Sequence, residues 1–324
     1  MIIVTGGAGF IGSALVWKLN REGLHNILIV DDLGETEKWK NLVGLKYEDY
    51  LHKETFLDLI LEDEIHGGIT ALIHLGACSS TTERDADYLM ENNYRYSQAL
   101  AKWALAKDIR FIYASSAATY GDGSMGFSDA REKIPDLRPI NMYGYSKQLF
   151  DLWVLRNGLD DRMAGIKFFN VFGPNEYHKG DMRSVVHKAY GQVRNRGRVS
   201  LFKSHRPEYE DGGQMRDFIY VKDCVEVLWW FMENRSVSGI FNLGTGRART
   251  WNDLVNAVFA AMGRPPEIEY IDMPESIRDQ YQYFTEAVMD KLRSRGYKAP
   301  FTGLEEAVRD YVVNYLEEGE RCLA

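Results

Sequence analysis

Tyr143 and Lys147 stand four positions apart in Tyr143-Gly144-Tyr145-Ser146-Lys147, a spacing that puts both side chains on one face of a helix. A phenol has a pKa of ~10 and is a poor base near neutrality. An ammonium beside it, together with a cationic ring brought by a redox cofactor, favours the phenolate. That phenolate can take the proton of an alcohol while a hydride leaves the same carbon. Ser116, in Ser115-Ser116-Ala117-Ala118-Thr119-Tyr120-Gly121, follows an apolar run, so its hydroxyl can bind the same substrate oxygen. Any amphipathic helix can carry Tyr-x-x-x-Lys. The chemical reading therefore needs a hydride acceptor elsewhere in the chain.

Thr5-Gly6-Gly7-Ala8-Gly9-Phe10-Ile11-Gly12 indicates where that acceptor binds. The run follows a β-branched stretch and opens a helical pattern. Glycines there permit a tight turn, let the backbone approach a pyrophosphate, and let helix and sheet pack closely. The N–H groups at the helix start then face the phosphates. Asp31 and Asp32 lie 19 and 20 residues after Gly12, where an acid accepts hydrogen bonds from the adenosine ribose. Taken alone they favour NAD, because a carboxylate repels a 2′-phosphate. Lys38, Lys40 and Lys53 follow, and they either neutralise such a phosphate or form an ordinary solvated face, so NAD and NADP both stay open. Gly76-Ala77-Cys78-Ser79 places small residues at the end of another apolar run, against the expected cofactor. Asn92 and Asn93 interrupt a helix of better formers, which points to one of them reaching the same strand ends.

The elements that must position these groups read as alternating strands and helices. Apolar runs at 1–5, 26–30, 71–75 and 110–114 are expected strands, and Ile11, Leu15 and Leu19, then 55–61 and 88–107, carry helical spacing. Strands rich in Val and Ile without clean alternation suit a sheet covered on both faces. The expected fold is α/β: a doubly wound parallel (Rossmann) sheet with a second, smaller α/β substrate-binding domain. Further on, helices are expected at 184–196, 223–234 and 251–262, strands at 218–221, 240–243 and 267–271, and a capping box at Thr302-x-x-Glu305 opening a last helix. The simplest division gives 1–169 plus 217–244 to the cofactor and 170–216 plus 245–324 to the substrate. With 39 Lys plus Arg against 47 Asp plus Glu, the net charge of -8 argues against a polyanion such as nucleic acid. Cys78, Cys224 and Cys322 lack metal-ligand spacing and cannot all pair, which argues against a disulfide framework or a metal site. The longest apolar stretch, 225–232, is too short for a membrane span. The opening residues carry no basic region of a signal peptide, so a soluble cytoplasmic protein is expected.

Together, TGGAGFIG, SSAATYG and YGYSK resemble the extended short-chain dehydrogenase/reductase superfamily that acts on nucleotide sugars. GACSSTTE at 76–83, YASSAATYG at 113–121, FNVFGPNEYHKG at 169–180, RDF at 216–218 and GIFNLGTGRA at 239–248 resemble, more narrowly, the ADP-glyceromanno-heptose 6-epimerase family. That resemblance implies tightly bound NADP rather than NAD. It implies oxidation of the C6″ alcohol of ADP-D-glycero-D-manno-heptose to a ketone and re-reduction on the opposite face to the L-glycero epimer, for lipopolysaccharide core heptose supply. A ketone that turns over presents its oxygen at a second place, and the resemblance implies two acid/base groups, Tyr143 and Lys179. A lysine of reference pKa ~10.4 needs desolvation or positive neighbours for base duty; by residue type alone Lys179 reads first as a point charge for phosphate or sugar.

By position in these motifs, the resemblance assigns Gly6, Gly9, Phe10, Ile11, Gly12, Asp31, Asp32, Lys38, Lys53, Leu75, Gly76, Ala77, Cys78, Ser79, Asn92, Tyr143, Lys147 and Val171 to the cofactor. It assigns Ser116, Asn170, Lys179, Asp181, Lys188, Phe202, Lys203, Ser204, His205, Arg216 and Tyr281 to the ADP-sugar, with the planar fork of Arg216 suited to a pyrophosphate. Relatives suggest a homo-oligomer, with a pentamer as one form. Leu75 stands where an acid is expected, Lys188 where a histidine is expected, and 205–215 is longer than usual. The alternatives are another nucleotide-sugar epimerase or a reductase of the superfamily, and, from a different class, a non-catalytic dinucleotide sensor. A sensor has no use for Tyr143, Lys147 and Ser116 together. Dehydration would need an acid where Ala117, Ala118 and Thr119 stand.

Overall fold

The computed structural model describes residues 1–278 and 281–324. The chain opens with β1 (Ile2–Thr5), α1 (Phe10–Arg21), β2 (Ile27–Asp31), β3 (Asp49–His52), α2 (Lys53–Leu61) and β4 (Ala71–His74). Next, α3 (Ala86–Leu89) runs through a π turn at Met90–Arg95 into α4 (Tyr96–Ala106), followed by β5 (Arg110–Ser116), α5 (Met142–Arg156) and β6 (Met163–Phe168). Then come β7 (Asn170–Phe172), α6 (Val185–Arg196), β8 (Val199–Phe202), β9 (Met215–Tyr220), α7 (Val221–Glu233) and β10 (Gly239–Leu243). The remainder holds β11 (Ala248–Thr250), α8 (Trp251–Ala261), β12 (Ile268–Ile271) and the short helices α9 (Glu275–Arg278), α10 (Asp290–Ser294) and α11 (Leu304–Tyr311).

Seven strands form one sheet in the order β10-β6-β5-β4-β1-β2-β3, every neighbouring pair parallel. This is the expected doubly wound arrangement. Its two faces explain the strand compositions. Ile2, Val4, Ile27 and Ile29 pack with Ala14, Leu15, Val225 and Leu228 of α1 and α7. Ile3, Leu28, Val30 and Leu72 pack with Phe56 and Ile60 of α2, Leu100 of α4 and Phe150 of α5. Successive side chains thus alternate between two apolar layers, and the sequence shows no polar interval. β2 and β4 flank β1 and the chain leaves in opposite directions from it. The crevice at their carboxyl ends is where ligands enter such sheets. The remaining strands form a β11-β9-β7 sheet and a β12-β8 pair.

Two local expectations are corrected. The helix expected over 88–107 is divided by the π turn at Met90–Arg95. The proposed Thr302 capping box is absent: Gly303 caps α11 without a side-chain bond, because the Thr302 hydroxyl donates instead to Asp223 Oδ1 at 2.8 Å. A true capping box opens α8, with Thr250 and Asp253 bonding reciprocally. Among the described residues all three cysteines are free, no group of side chains has metal-ligand geometry, and no helix is long and apolar enough to cross a membrane.

Candidate active site

The turn after β1 is built so that only glycine fits. Gly6 has φ +67, and a Cβ there would sit 2.6 Å from the Gly76 nitrogen; one on Gly12 would sit 2.0 Å from the Gly6 carbonyl oxygen. Gly9 caps α1 without a side-chain hydrogen bond, leaving the first helical N–H groups for an anion. Asp31 braces the turn: its Oδ2 accepts from the Ala8 N–H at 2.8 Å and its Oδ1 from the Lys38 ammonium at 2.8 Å. A cleft of ≈ 760 Å³ runs from this turn across the sheet, lined by Gly6, Gly9, Phe10, Ile11, Gly12, Asp31, Lys38, Leu75, Gly76, Ala77, Cys78, Ser79, Ser116, Tyr143, Lys147, Asn170, Val171 and Lys179 among others.

A side pocket of ≈ 170 Å³ opens off the same strand ends, between Asp31, Asp32, Lys38, Lys53, Tyr88 and Asn92. Lys53 donates to Asn92 Oδ1 at 2.8 Å and lies 3.7 Å from Asp32. The two asparagines divide the labour. Asn92 faces this pocket, while buried Asn93 bonds both backbone groups of Cys78 and the Ser146 hydroxyl, tying the β4 end to α5. Lys40 pairs with Glu37 on the surface and lines neither cavity. The uncapped helix start, the glycine cradle and two ammonium groups beside a ribose-sized pocket fit a nicotinamide dinucleotide.

At the other end of the cleft, α5 begins at Asn141, whose Oδ1 accepts from the Gly144 N–H at 2.8 Å. A Cβ on Gly144 would sit 2.7 Å from the Ala118 carbonyl oxygen, so this glycine lets α5 approach the segment holding Ser116. Lys147 is buried and its Nζ donates to the Ala114 carbonyl oxygen at 2.8 Å. Burial brings this lysine down to about 8, which leaves it mostly charged near neutrality. The Tyr143 phenol is pushed above its ordinary value by burial, against the pull of Ser116. The Lys147 ammonium, one of the two charges expected to favour the phenolate, is bonded to β5. Below them Asp151 accepts from Lys167 at 2.5 Å, both side chains fully buried, with Tyr113 and Ser115 completing its shell.

Lys179 lines the same cleft as Tyr143, on a turn at Tyr177–Met182. Its Nζ lies 5.5 Å from the centre of the Phe10 ring. Burial draws its pKa below the ordinary lysine value, partly opposed by Glu176. Neighbouring His178 is drawn down to about 4, chiefly by burial and then by Lys38 and Lys179, so it stands neutral beside Lys179.

The remaining expected sugar contacts lie off the cleft. Lys188 donates to the Asp181 carbonyl oxygen at 2.6 Å on an exposed surface. Lys203 pairs with Asp272 at 3.1 Å. Phe202 packs edge-on against Tyr281, and His205 lies edge-on to Tyr283, whose hydroxyl it meets at 2.8 Å. The Ser204 N–H donates to Asp211 Oδ1 at 2.8 Å, and so closes the long 205–215 excursion. The Arg216 guanidinium lies 5.6 Å from the Trp251 ring and 5.4 Å from Tyr281, behind the cleft wall. That wall is made instead by Met182, Arg183, Trp251, Gln282 and Thr285. Of these, the residues after 280 carry no regular structure and gave no periodic signal.

A phosphate-ready turn at the switch point of a parallel sheet, sharing its cleft with a Tyr-x-x-x-Lys pair, defines a nicotinamide-dinucleotide-dependent enzyme. The chain belongs to the NAD dependent epimerase/dehydratase family, whose family model matches residues 2–244. It is 62% identical over 323 residues, 100% of both chains, to ADP-L-glycero-D-manno-heptose-6-epimerase of Nitratidesulfovibrio vulgaris strain DP4. It is 47% identical over 332 residues, again 100% of both, to the protein of that name from Fusobacterium nucleatum subsp. nucleatum. Among solved structures, Helicobacter pylori ADP-L-glycero-D-manno-heptose-6-epimerase matches with a TM-score of 0.80 at 28% identity, covering 97% of this chain and 95% of that one.

Proposed function

We infer that the protein is an ADP-heptose 6-epimerase, converting ADP-D-glycero-D-manno-heptose to ADP-L-glycero-D-manno-heptose through a C6″ ketone. The observation that carries this reading is that two groups able to move protons, Tyr143 and Lys179, come from separate elements to line one cleft. Full-length relatives of that name support the substrate. Lys38 and Lys53 beside the side pocket favour NADP, since two ammonium groups offset Asp31 and Asp32 at a 2′-phosphate. When bound, a nicotinamide cofactor would supply the hydride acceptor and donor for C6″.

Every other task falls to the chain. The glycine turn and α1 hold the pyrophosphate. Ser116 donates to the substrate oxygen, and Tyr143 receives or returns the alcohol proton on one side. After the ketone turns over, its oxygen addresses Lys179, whose burial lowers the cost of shedding a proton. Lys147 holds the nicotinamide end with its fixed charge. The ADP-sugar is taken by the part formed from 170–216 and 245–324, set against the cofactor part of 1–169 and 217–244. The protein works in the cytoplasm, with its thiols reduced, as a homo-oligomer. Proton NMR of the product tests the reading: inversion at C6″ with no net change in nicotinamide absorbance is expected, and an unchanged C6″ after long incubation of cofactor-loaded protein contradicts it.

A further inference from the structure

The segment that presents Lys179 is unusually well tethered. Asn175, Glu176, Tyr177 and His178 each bond through their side chains to residues outside the Tyr177–Met182 turn. Asn175 is fully buried with φ +78; its Nδ2 donates to Ser13 Oγ of α1 at 2.8 Å, and its Oδ1 accepts from the Leu323 N–H at 2.8 Å. Glu176 accepts from the Ser184 N–H at 2.5 Å and its hydroxyl at 2.6 Å, clasping the two ends of the turn. The Tyr177 hydroxyl donates to the Arg321 carbonyl oxygen at 2.8 Å. His178 turns toward Asn41. Lys179 lines the cleft, with His178 beside it.

Asn41 is where these tethers meet the cofactor turn. It is 2% exposed and sits in the short helical turn Glu37–Leu42. Its amide nitrogen lies 3.0 Å from the Ala8 carbonyl oxygen, 3.0 Å from the Asn175 carbonyl oxygen and 3.2 Å from His178 Nδ1. Its oxygen accepts from the Cys322 thiol at 3.4 Å. One buried amide therefore joins the glycine turn, the Lys179 segment and the 320–323 stretch. Phe10, two residues beyond Ala8, carries the ring that meets the Lys179 ammonium. An amide offering two protons to fixed carbonyl oxygens holds both backbones in register, and its removal leaves them unpaired in a dry setting.

We propose that Asn41 is a positioning residue for Lys179, registering the second acid/base group against the glycine turn so that it meets the C6″ oxygen on the side Tyr143 does not serve. This rests on the two-base reading above. Misplacing a reacting group by about 1 Å can cost on the order of 100-fold in rate, whereas Tyr143, on α5, shares none of these tethers.

The test uses cofactor-loaded protein mixed in stopped flow with one C6″ epimer at a time, reading nicotinamide absorbance in a single turnover. With two bases, each epimer is oxidised through a different one. Asn41→Ala should slow one epimer by ~10-fold or more and leave the other within about twofold. Lys179→Met should slow that same epimer further. Tyr177→Phe, which deletes one hydroxyl and keeps the packing, should slow it a few-fold. In the protein without cofactor or substrate, Asn41→Ala should speed amide exchange across 173–184 while α5 keeps its protection. Equal slowing of both epimers, or no slowing despite faster exchange, overturns the proposal. If Asn41→Ala does not fold, normal rates for both epimers in Tyr177→Phe overturn it. A lack of epimer preference in Lys179→Met removes the two-base reading itself, and the proposal with it.

Discussion

Lys147 is tied to Ala114, its Nζ donating to that carbonyl oxygen at 2.8 Å, one helical turn from Tyr143. The ammonium is thereby held to β5 and not to the phenol, and burial leaves Tyr143 above its ordinary value. The cofactor-free protein should accordingly show no tyrosine assignable to position 143 ionising below ~10. Ultraviolet difference titration checks this. Adding the oxidised cofactor should bring in an ionisation at lower pH that Tyr143→Phe abolishes; the same low-pH ionisation without cofactor would contradict it.

Tyr143→Phe and Lys179→Met should each reduce turnover by ~100-fold or more, with sugar-nucleotide affinity changing far less. Steady-state rates and calorimetric binding separate the two effects. Unimpaired turnover in either variant removes that residue from its role.

The side pocket carries the cofactor preference. Lys53→Met removes an ammonium that lies 3.7 Å from Asp32 and bonds Asn92. It should weaken NADP by ~10-fold, about the worth of one charged hydrogen bond, and change NAD binding little. Equal losses for both nucleotides would place the 2′-phosphate elsewhere.

Acid should destabilise the fold partly through His74. It is buried between Thr5 and Ser97, and its pKa is drawn from 6.5 down to about 3 by burial and then by Lys147. The unfolded chain binds a proton there at mild acidity and the folded chain does not. The stability this histidine contributes is full above its unfolded value and is lost as pH falls from 6.5 toward 3. Urea midpoints should therefore fall more steeply with acidification in the natural protein than in His74→Gln; parallel curves would show that His74 is not the group responsible.

Much of this was legible beforehand, for physical reasons. β1, β2, β4 and β5 are buried on both faces, so their residues had to be apolar in runs. The glycine turn was legible because Gly6 and Gly12 admit no Cβ. By contrast β3, Asp49–His52, is a half-exposed edge strand with a polar composition, and nothing in its pattern distinguishes it from a loop. Asn92 and Asn93 could not be told apart because the π turn that separates their directions leaves no periodic trace. The sugar end was the least legible. Arg216 and Tyr281 lie against each other and Trp251, while Gln282, which donates to the Gly121 carbonyl oxygen, reaches the cleft from an irregular segment.

Breaking the pair beneath the site tests how far that support matters. Asp151→Asn leaves Lys167 buried without its counter-charge and should cost about 3–5 kcal/mol of stability, read from denaturant unfolding. A loss below about 1 kcal/mol would mean that water or relaxation replaces the carboxylate.

The most direct trial of the account follows the hydrogen on C6″ itself. Substrate deuterated at that carbon, turned over by cofactor-loaded protein in ordinary water, should give the epimer with its deuterium retained, because one bound nucleotide removes and returns the same atom. Epimer carrying protium at C6″ would contradict it.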